Sequence, residues 1–398
     1  MTFTWDQMLP LFFMAVMGLA LLAYVVLDGY DLGVGILLPF AADEEKDMMV
    51  SSIGPFWDAN ETWLVLGIGV LLIAFPAAHG IVLSALYLPV AVMLIGLILR
   101  GVSFDFRVKA RAEHKTMWNG LFALGSLVTA MAQGWMLGRY LTGFDHGWQS
   151  SLFSLGIAVT LPTGYALLGA GWLIMKTGEE LQLKAVHWAR LVLWPMGAAL
   201  VAISLASPMV SHTVYERWFA MPQFIGLLPI PVACAVAFFA IFHVTAKPRV
   251  VAAGYGWVVF ASTVLIFVLA FLGLAYSLYP YIVIDRMTAW QAASATKSLM
   301  SSSSAWRSRC RRSSCTRCSC TACSGAGPAH STTGSRWPRT RGVARIEPLL
   351  GLWLFAAPEF AAPGQVGAAP RTGDGCRAGR KGHGRSQLRG GQRVQRRR

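Results

Sequence analysis

The chain has 398 residues, is 55% apolar and carries a formal charge of +15. That charge is unevenly placed: residues 301–398 hold 19 of the 34 Lys and Arg and three of the 19 acidic residues, so this segment is +16 and residues 1–300 are −1. A basic chain often points to nucleic acid, but the near-neutral body excludes that reading, and its long apolar runs exclude a soluble globular chain.

Eight segments are apolar and long enough to span a bilayer, at about 9–27, 62–79, 81–99, 117–138, 152–175, 191–211, 223–242 and 256–279. The expected fold class is an all-α polytopic membrane protein. Leu9–Leu27 is too long for the apolar core of a signal peptide and runs into Asp28-Gly29 with no small-residue cleavage pattern, so it reads as the first span. Alternate links between spans carry 11 Lys and Arg, against four on the opposite side. The positive-inside rule then places the more basic links in the cytoplasm and the N-terminus outside. Trp5, Trp57, Trp63, Trp118, Trp148, Trp188, Trp218 and Trp290 fall near span ends, where a ring can be half wet. Gly67 with Gly69, and Gly164 with Gly169 and Gly171, offer close helix approach.

Acidic residues mark three groups along the body. In Leu27-Asp28-Gly29-Tyr30-Asp31-Leu32-Gly33-Val34-Gly35, at the end of span 1, Asp28 and Asp31 share a helix face. They read either as a polar helix end with glycine hinges or as a site where protons or cations enter the membrane. Before span 2, Asp58-x-x-Glu61 has the form of a capping box, yet Asp58, Asn60 and Glu61 also crowd polar groups between Trp57 and Trp63. At the exit of span 3, Arg100 is placed to pair with an intramembrane carboxylate, with Asp105 as a candidate partner or relay. Arg107, Lys109 and Arg111 read as cytoplasmic anchors. For Arg100 and Asp105 the anchor reading and the pairing reading both stay open.

Cys234 stands alone in the body and reads as packing. His79, His146, His187, His212 and His243 lie at or beyond span ends, so no pair of imidazoles is expected to face each other in the membrane as a bis-His haem requires. The body has no phosphate-binding loop, nucleophile elbow or His-Glu-x-x-His pattern. A redox centre or metal site within this chain is not expected.

The body and the segment after residue 300 are read as separate regions, 1–300 and 301–398. The second is rich in Ser, Arg, Cys, Gly, Ala and Pro, has one Lys (Lys381) among its basic residues, and begins abruptly at Ser301. Cys315-x2-Cys318 and Cys320-x2-Cys323 resemble metal-ligand spacing, but only Ser319 separates the pairs, too little chain for a tetrahedral cage. A basic disordered tail that binds lipid or RNA is a second reading. Translation out of frame from GC-rich DNA is the favoured one, because it accounts for the Arg bias, the missing periodicity and the sudden onset together.

Asp28-Gly29-Tyr30-Asp31-Leu32-Gly33-Val34-Gly35, Trp57-Asp58-Ala59-Asn60-Glu61-Thr62-Trp63-Leu64 and Arg100-Gly101-Val102-Ser103-Phe104-Asp105-Phe106-Arg107 together resemble subunit II of the cytochrome bd-type quinol oxidases, over roughly residues 1–300. Asn60-Glu61-Thr62 looks like the branch often called cyanide-insensitive. The resemblance implies two four-helix bundles plus a peripheral helix, in a haem-free partner of a subunit I that carries two b-type haems and haem d. The complex oxidises quinol and reduces oxygen to water in an electrogenic reaction. It implies a proton path from the cytoplasm, with Asp58 and Asp105 at matching positions, Glu61, Asp28 and Asp31 as further members, and Trp57, Arg100 and Asn60 as neighbours that shape it. Some members bind a structural quinone in this subunit. The family has a ninth span where this chain has its basic segment. The competing expectation is a stand-alone proton-coupled transporter. Such a protein would more often show Gly- or Pro-broken spans at midplane.

Overall fold

The computed structural model of the protein describes residues 5–301, apart from 220, 222 and 297; the basic segment with its cysteine pairs lies outside the described residues. The helices in chain order are α1 (Trp5–Leu37), α2 (Asp43–Ile53), α3 (Trp57–Ala74), α4 (Pro76–Lys109), α5 (Ala112–Leu141), α6 (Trp148–Lys176), α7 (Glu179–Val210), α8 (His212–Phe219), α9 (Gln223–Leu227), α10 (Pro229–Ala246), α11 (Pro248–Val250), α12 (Trp257–Leu278) and α13 (Ala289–Ala292). A two-stranded antiparallel hairpin, β1 (Tyr281–Val283) and β2 (Met287–Thr288), joins α12 to α13.

Eight of the helices, α1, α3, α4, α5, α6, α7, α10 and α12, are long and apolar enough to cross a membrane. Helix is the form an apolar segment takes in lipid, because each backbone N–H and C=O finds its partner within the segment. The first four pack as one bundle and the last four as another, with α1 and α5 laid against α6 at the seam. The outer faces are apolar, for example Val65, Ile95 and Ile98 in the first bundle and Leu191, Val236 and Phe239 in the second. The main core lies along α1, α6 and α12, where Leu32, Tyr165, Leu167, Leu168 and Ile266 are buried.

Glycines set the closest helix crossings. A Cβ on Gly33 of α1 would overlap the Tyr165 carbonyl of α6, and one on Gly169 would overlap the Gly33–Val34 backbone, so the two helices meet backbone to backbone. Gly96 of α4 and Gly125 of α5 meet in the same way, 2.7 Å from the Gly125 Cβ position to the Gly96 carbonyl oxygen. Of the pair singled out in the sequence, Gly67 packs on Leu21, whereas Gly69 has open space beside it.

Three boundaries differ from the sequence expectation. Helix α1 runs nine residues beyond Asp28, so Asp28 to Gly35 is buried helix rather than a polar span end. At 33 residues it is about 50 Å long, well over the hydrocarbon thickness. Helix α4 likewise continues through Arg100 to Lys109. The expected seventh span stands as an apolar run over Ile225–Ala246, with α10 opening at Pro229, whose missing N–H breaks the turn from α9. Trp63 and Trp188, expected at the interface, are buried in the main core.

Candidate functional site

Helices α1, α3 and α4 bring one cation and three carboxyl groups together inside the first bundle. Arg100 is fully buried; its Nη1 donates to Asp28 Oδ1 at 2.7 Å and to Glu61 Oε1 at 2.9 Å. Its Nη2 lies 3.8 Å from Asp31 Oδ2, an ion pair without a hydrogen bond. Asn60 Nδ2 donates to Asp31 Oδ2 and to the Tyr30 hydroxyl, each at 2.8 Å. Asp28 and Asp31 face Arg100 together because they sit three residues apart on α1, as their spacing predicts.

This group is electroneutral when two of its three carboxyls carry protons. Charges sealed from water are stable only when they are paired and hydrogen-bonded, and here three carboxyls share one guanidinium. Asp28 Oδ2, Asp31 Oδ1, Arg100 Nε and Arg100 Nη2 are sealed without a hydrogen-bond partner among the described residues. Asp28, Asp31 and Arg100 are closed off entirely, while 27% of the Glu61 side chain reaches the surface. Glu61 is thus the member that opens outward.

A second polar line begins one turn before Asp28. Gln133 of α5 donates to the Tyr24 hydroxyl at 2.7 Å, and Tyr165 of α6 donates to Gln133 Oε1 at 2.5 Å. Sequence reading missed Tyr24, Gln133 and Tyr165. The signal was present in Gln133, an amide in the middle of the fourth expected span, and in the four-residue spacing of Tyr24 and Asp28.

The remaining sequence candidates fall outside the cluster. Asp58 and Asp105 are both exposed, and neither makes a hydrogen bond or ion pair among the described residues. Asp105 is therefore not the partner of Arg100; it points away, five residues on, while α1 and α3 supply the partners. Asp58 and Glu61 do not form a capping box, since Phe56 caps α3 without a side-chain bond and Glu61 turns to Arg100. Trp57 packs its ring on Phe104, centroids 4.8 Å apart, at the base of α3. Arg107 is more than an anchor: it is buried, donates to Asn119 Oδ1, and pairs with Asp47 of α2 at 2.7 Å. Partial burial works against the Asp47 carboxylate, but the hydrogen bond and charge of Arg107, with Lys115, outweigh it and hold the group below its usual range.

Among the described residues, no group of three His, Cys, Asp or Glu is placed to hold a metal ion. His79, His114, His146, His187 and His243 are none of them buried, so they present no facing pair inside the bundles.

Two four-helix bundles of apolar helices, with a sealed polar cluster between α1, α3 and α4, define a polytopic helical membrane protein. The sequence model of one family, described as cytochrome bd terminal oxidase subunit II, matches residues 9–306. The chain belongs to this family. It is 30% identical over 214 residues to cytochrome bd-I ubiquinol oxidase subunit 2 of Escherichia coli K12, covering 50% of this chain and 56% of that one. It is 28% identical over 228 residues to cytochrome bd ubiquinol oxidase subunit 2 of Bacillus subtilis 168, covering 54% and 64%. The chain thus spans between half and two-thirds of the length of these relatives. Its fold matches a chain in the structure of the bd oxidase from Geobacillus thermodenitrificans, with a TM-score of 0.58 and 18% identity over 74% of this chain and 92% of that one.

Proposed function

We propose that this chain is the haem-free subunit of a bd-type terminal quinol:oxygen oxidoreductase in a bacterial inner membrane, supporting a haem-bearing subunit I and supplying a proton path from the cytoplasm. The observation that carries the reading is the Arg100 cluster, in which one guanidinium holds Asp28, Asp31 and Glu61 inside the bundle. A lipid-exposed helix bundle has no packing need for such a group, and intramembrane carboxylates of this kind mark ion and proton routes. In this reading exposed Asp58 and Asp105 gather protons at the cytoplasmic face, Glu61 takes them at the surface of α3, and Asp28 and Asp31 hold them within. Asn60 fixes the orientation of Asp31, Arg100 balances charge, and Trp57 walls the base of α3. The N-terminus is taken to be periplasmic, by the bias of Lys and Arg between the two sides.

In this reading haem b and haem d belong to subunit I, as the family resemblance implies. When bound there, they would carry electrons from quinol to oxygen; the residues of this chain move and hold protons. Residues 301–398 are taken as an out-of-frame segment separate from the 1–300 body, a reading supported by the family match, which stops at 306.

The test is co-purification from membranes under a tag on this chain, with a haem spectrum and quinol-driven oxygen uptake of the product. A haem-bearing partner and oxygen uptake are expected. A haem-free single species with substrate-dependent proton flux would instead make the chain a transporter.

A further inference from the structure

Where α2, α4 and α5 converge, at the end of the first bundle richest in Lys and Arg, a cavity of about 400 Å³ opens between Asp47, Ser51, Phe104, Arg107, Val108 and Lys115. Its innermost cation, Arg107, is 4% exposed. Arg107 spends Nε on Asn119 and Nη2 on Asp47, which leaves Nη1 with no hydrogen bond and not among the sealed atoms. Lys115 stands across the opening, 39% exposed and only 3.4 Å from Asp47 Oδ2. Arg107 and Lys115 against Asp47 leave the lining at +1, and exposed Lys109 and Arg111 lie at the same helix end. The rim is otherwise apolar: Val50 and Phe104 line it together with Val108, which is 69% exposed. A buried guanidinium with a spare donor, a second cation and an apolar rim at the end of a membrane span match a phosphate carried on a lipid better than a free ion.

We infer that this junction is a headgroup site for an anionic phospholipid, whose phosphate bridges Arg107 Nη1 and Lys115 Nζ while its glycerol and first methylenes lie on Val108 and Phe104. Asp47 competes with the phosphate for both cations. It therefore sets the affinity from the opposite side, and its removal should tighten the site.

The experiment is native mass spectrometry of the full chain in the assembly it forms, titrated with phosphatidylglycerol, phosphatidylcholine or inorganic phosphate. Phosphatidylglycerol should be retained. Lys115→Gln should weaken it about fivefold and Asp47→Asn should strengthen it by a similar factor, the effect of one basic residue near an anionic surface. Arg107→Gln should also weaken it; should that variant fail to fold, the opposite signs at the partly exposed Lys115 and Asp47 still decide. Equal retention of phosphatidylcholine, or no change in both Lys115→Gln and Asp47→Asn, would overturn the site. Displacement of the lipid by inorganic phosphate at comparable concentration would overturn the lipid assignment.

Discussion

Gly125 of α5 lies against the backbone of Arg100 of α4, so closely that a Cβ on Gly125 would stand 2.9 Å from the Arg100 amide nitrogen. The buried guanidinium is thus aimed by a helix that contributes no charge to the cluster. Without a side chain at 125, α4 can settle into α5 and turn Arg100 toward α1 and α3.

Gly125→Ala should therefore damage the cluster without touching a charge. We expect a loss of about 1–3 kcal/mol, the usual cost of forcing an extra methyl into a packed core. It would be read as a lower unfolding temperature in detergent and less protein in the membrane. Gly69→Ala, where the Cβ meets open space, should change neither.

Arg100→Gln should be more severe, because it leaves Asp28 and Glu61 facing an uncharged partner in a sealed site. Removing one member of a buried ion pair costs about 3–5 kcal/mol. Pairing Arg100→Gln with Asp28→Asn removes a carboxylate along with its counter-charge, and part of the loss should return. A double-mutant cycle on unfolding midpoints measures the coupling; strictly additive losses would mean that the two residues do not act as a pair.

If the proposed function holds, Glu61→Gln should lower quinol-driven oxygen uptake per haem by about a hundredfold, the low end of what a positioned proton-transfer group contributes. Asp58→Asn and Asp105→Asn should lower it less, since exposed uptake residues can be replaced by water. Unchanged turnover per haem in all three, with normal haem content, removes these carboxylates from the path.

Acid should loosen α2 from α7. Glu45 Oε1 accepts from Lys184 Nζ at 2.7 Å, and Glu45 Oε2 accepts from the Ala42 amide at 2.9 Å. The Lys184 hydrogen bond, with the Ala42 amide and the Lys184 charge, holds Glu45 below the usual carboxylate range against a small opposing effect of burial. A depressed folded pKa means that the contact stabilises fully above the ordinary glutamate range and is lost as pH falls through the lowered value. Amide exchange over residues 43–53, corrected for intrinsic rates, should quicken across that window. Glu45→Gln should reduce the pH dependence, leaving the part that Asp47 carries through Arg107 and Lys115.

The eight spans, the shared face of Asp28 and Asp31, and an intramembrane partner for Arg100 were all legible in the chain, because each follows from apolar length or from helical spacing. The identity of that partner was not. Asp28 lies 72 residues from Arg100 and Glu61 lies 39 away, and no local pattern encodes which helices meet. Asp105 was the nearer choice along the chain and the wrong one in space. The same limit hid Arg107, whose place in a run of basic residues resembles an anchor, while its burial depends on Asp47 and Asn119 arriving from α2 and α5. Asp58-x-x-Glu61 stayed open for a different reason: a capping box and a surface carboxylate turned inward share one spelling.

Helix α1 carries Asp28 and Asp31 toward one bundle and, two residues later, Gly33 against the other. The electrical site and the mechanical seam of the molecule are thus built on a single turn. Any slide of the second bundle along that seam would be felt as a change in distance between Arg100 and its counter-ions. A residue such as Gly169, which carries no charge itself, is therefore placed to govern how closely Arg100 meets its counter-ions.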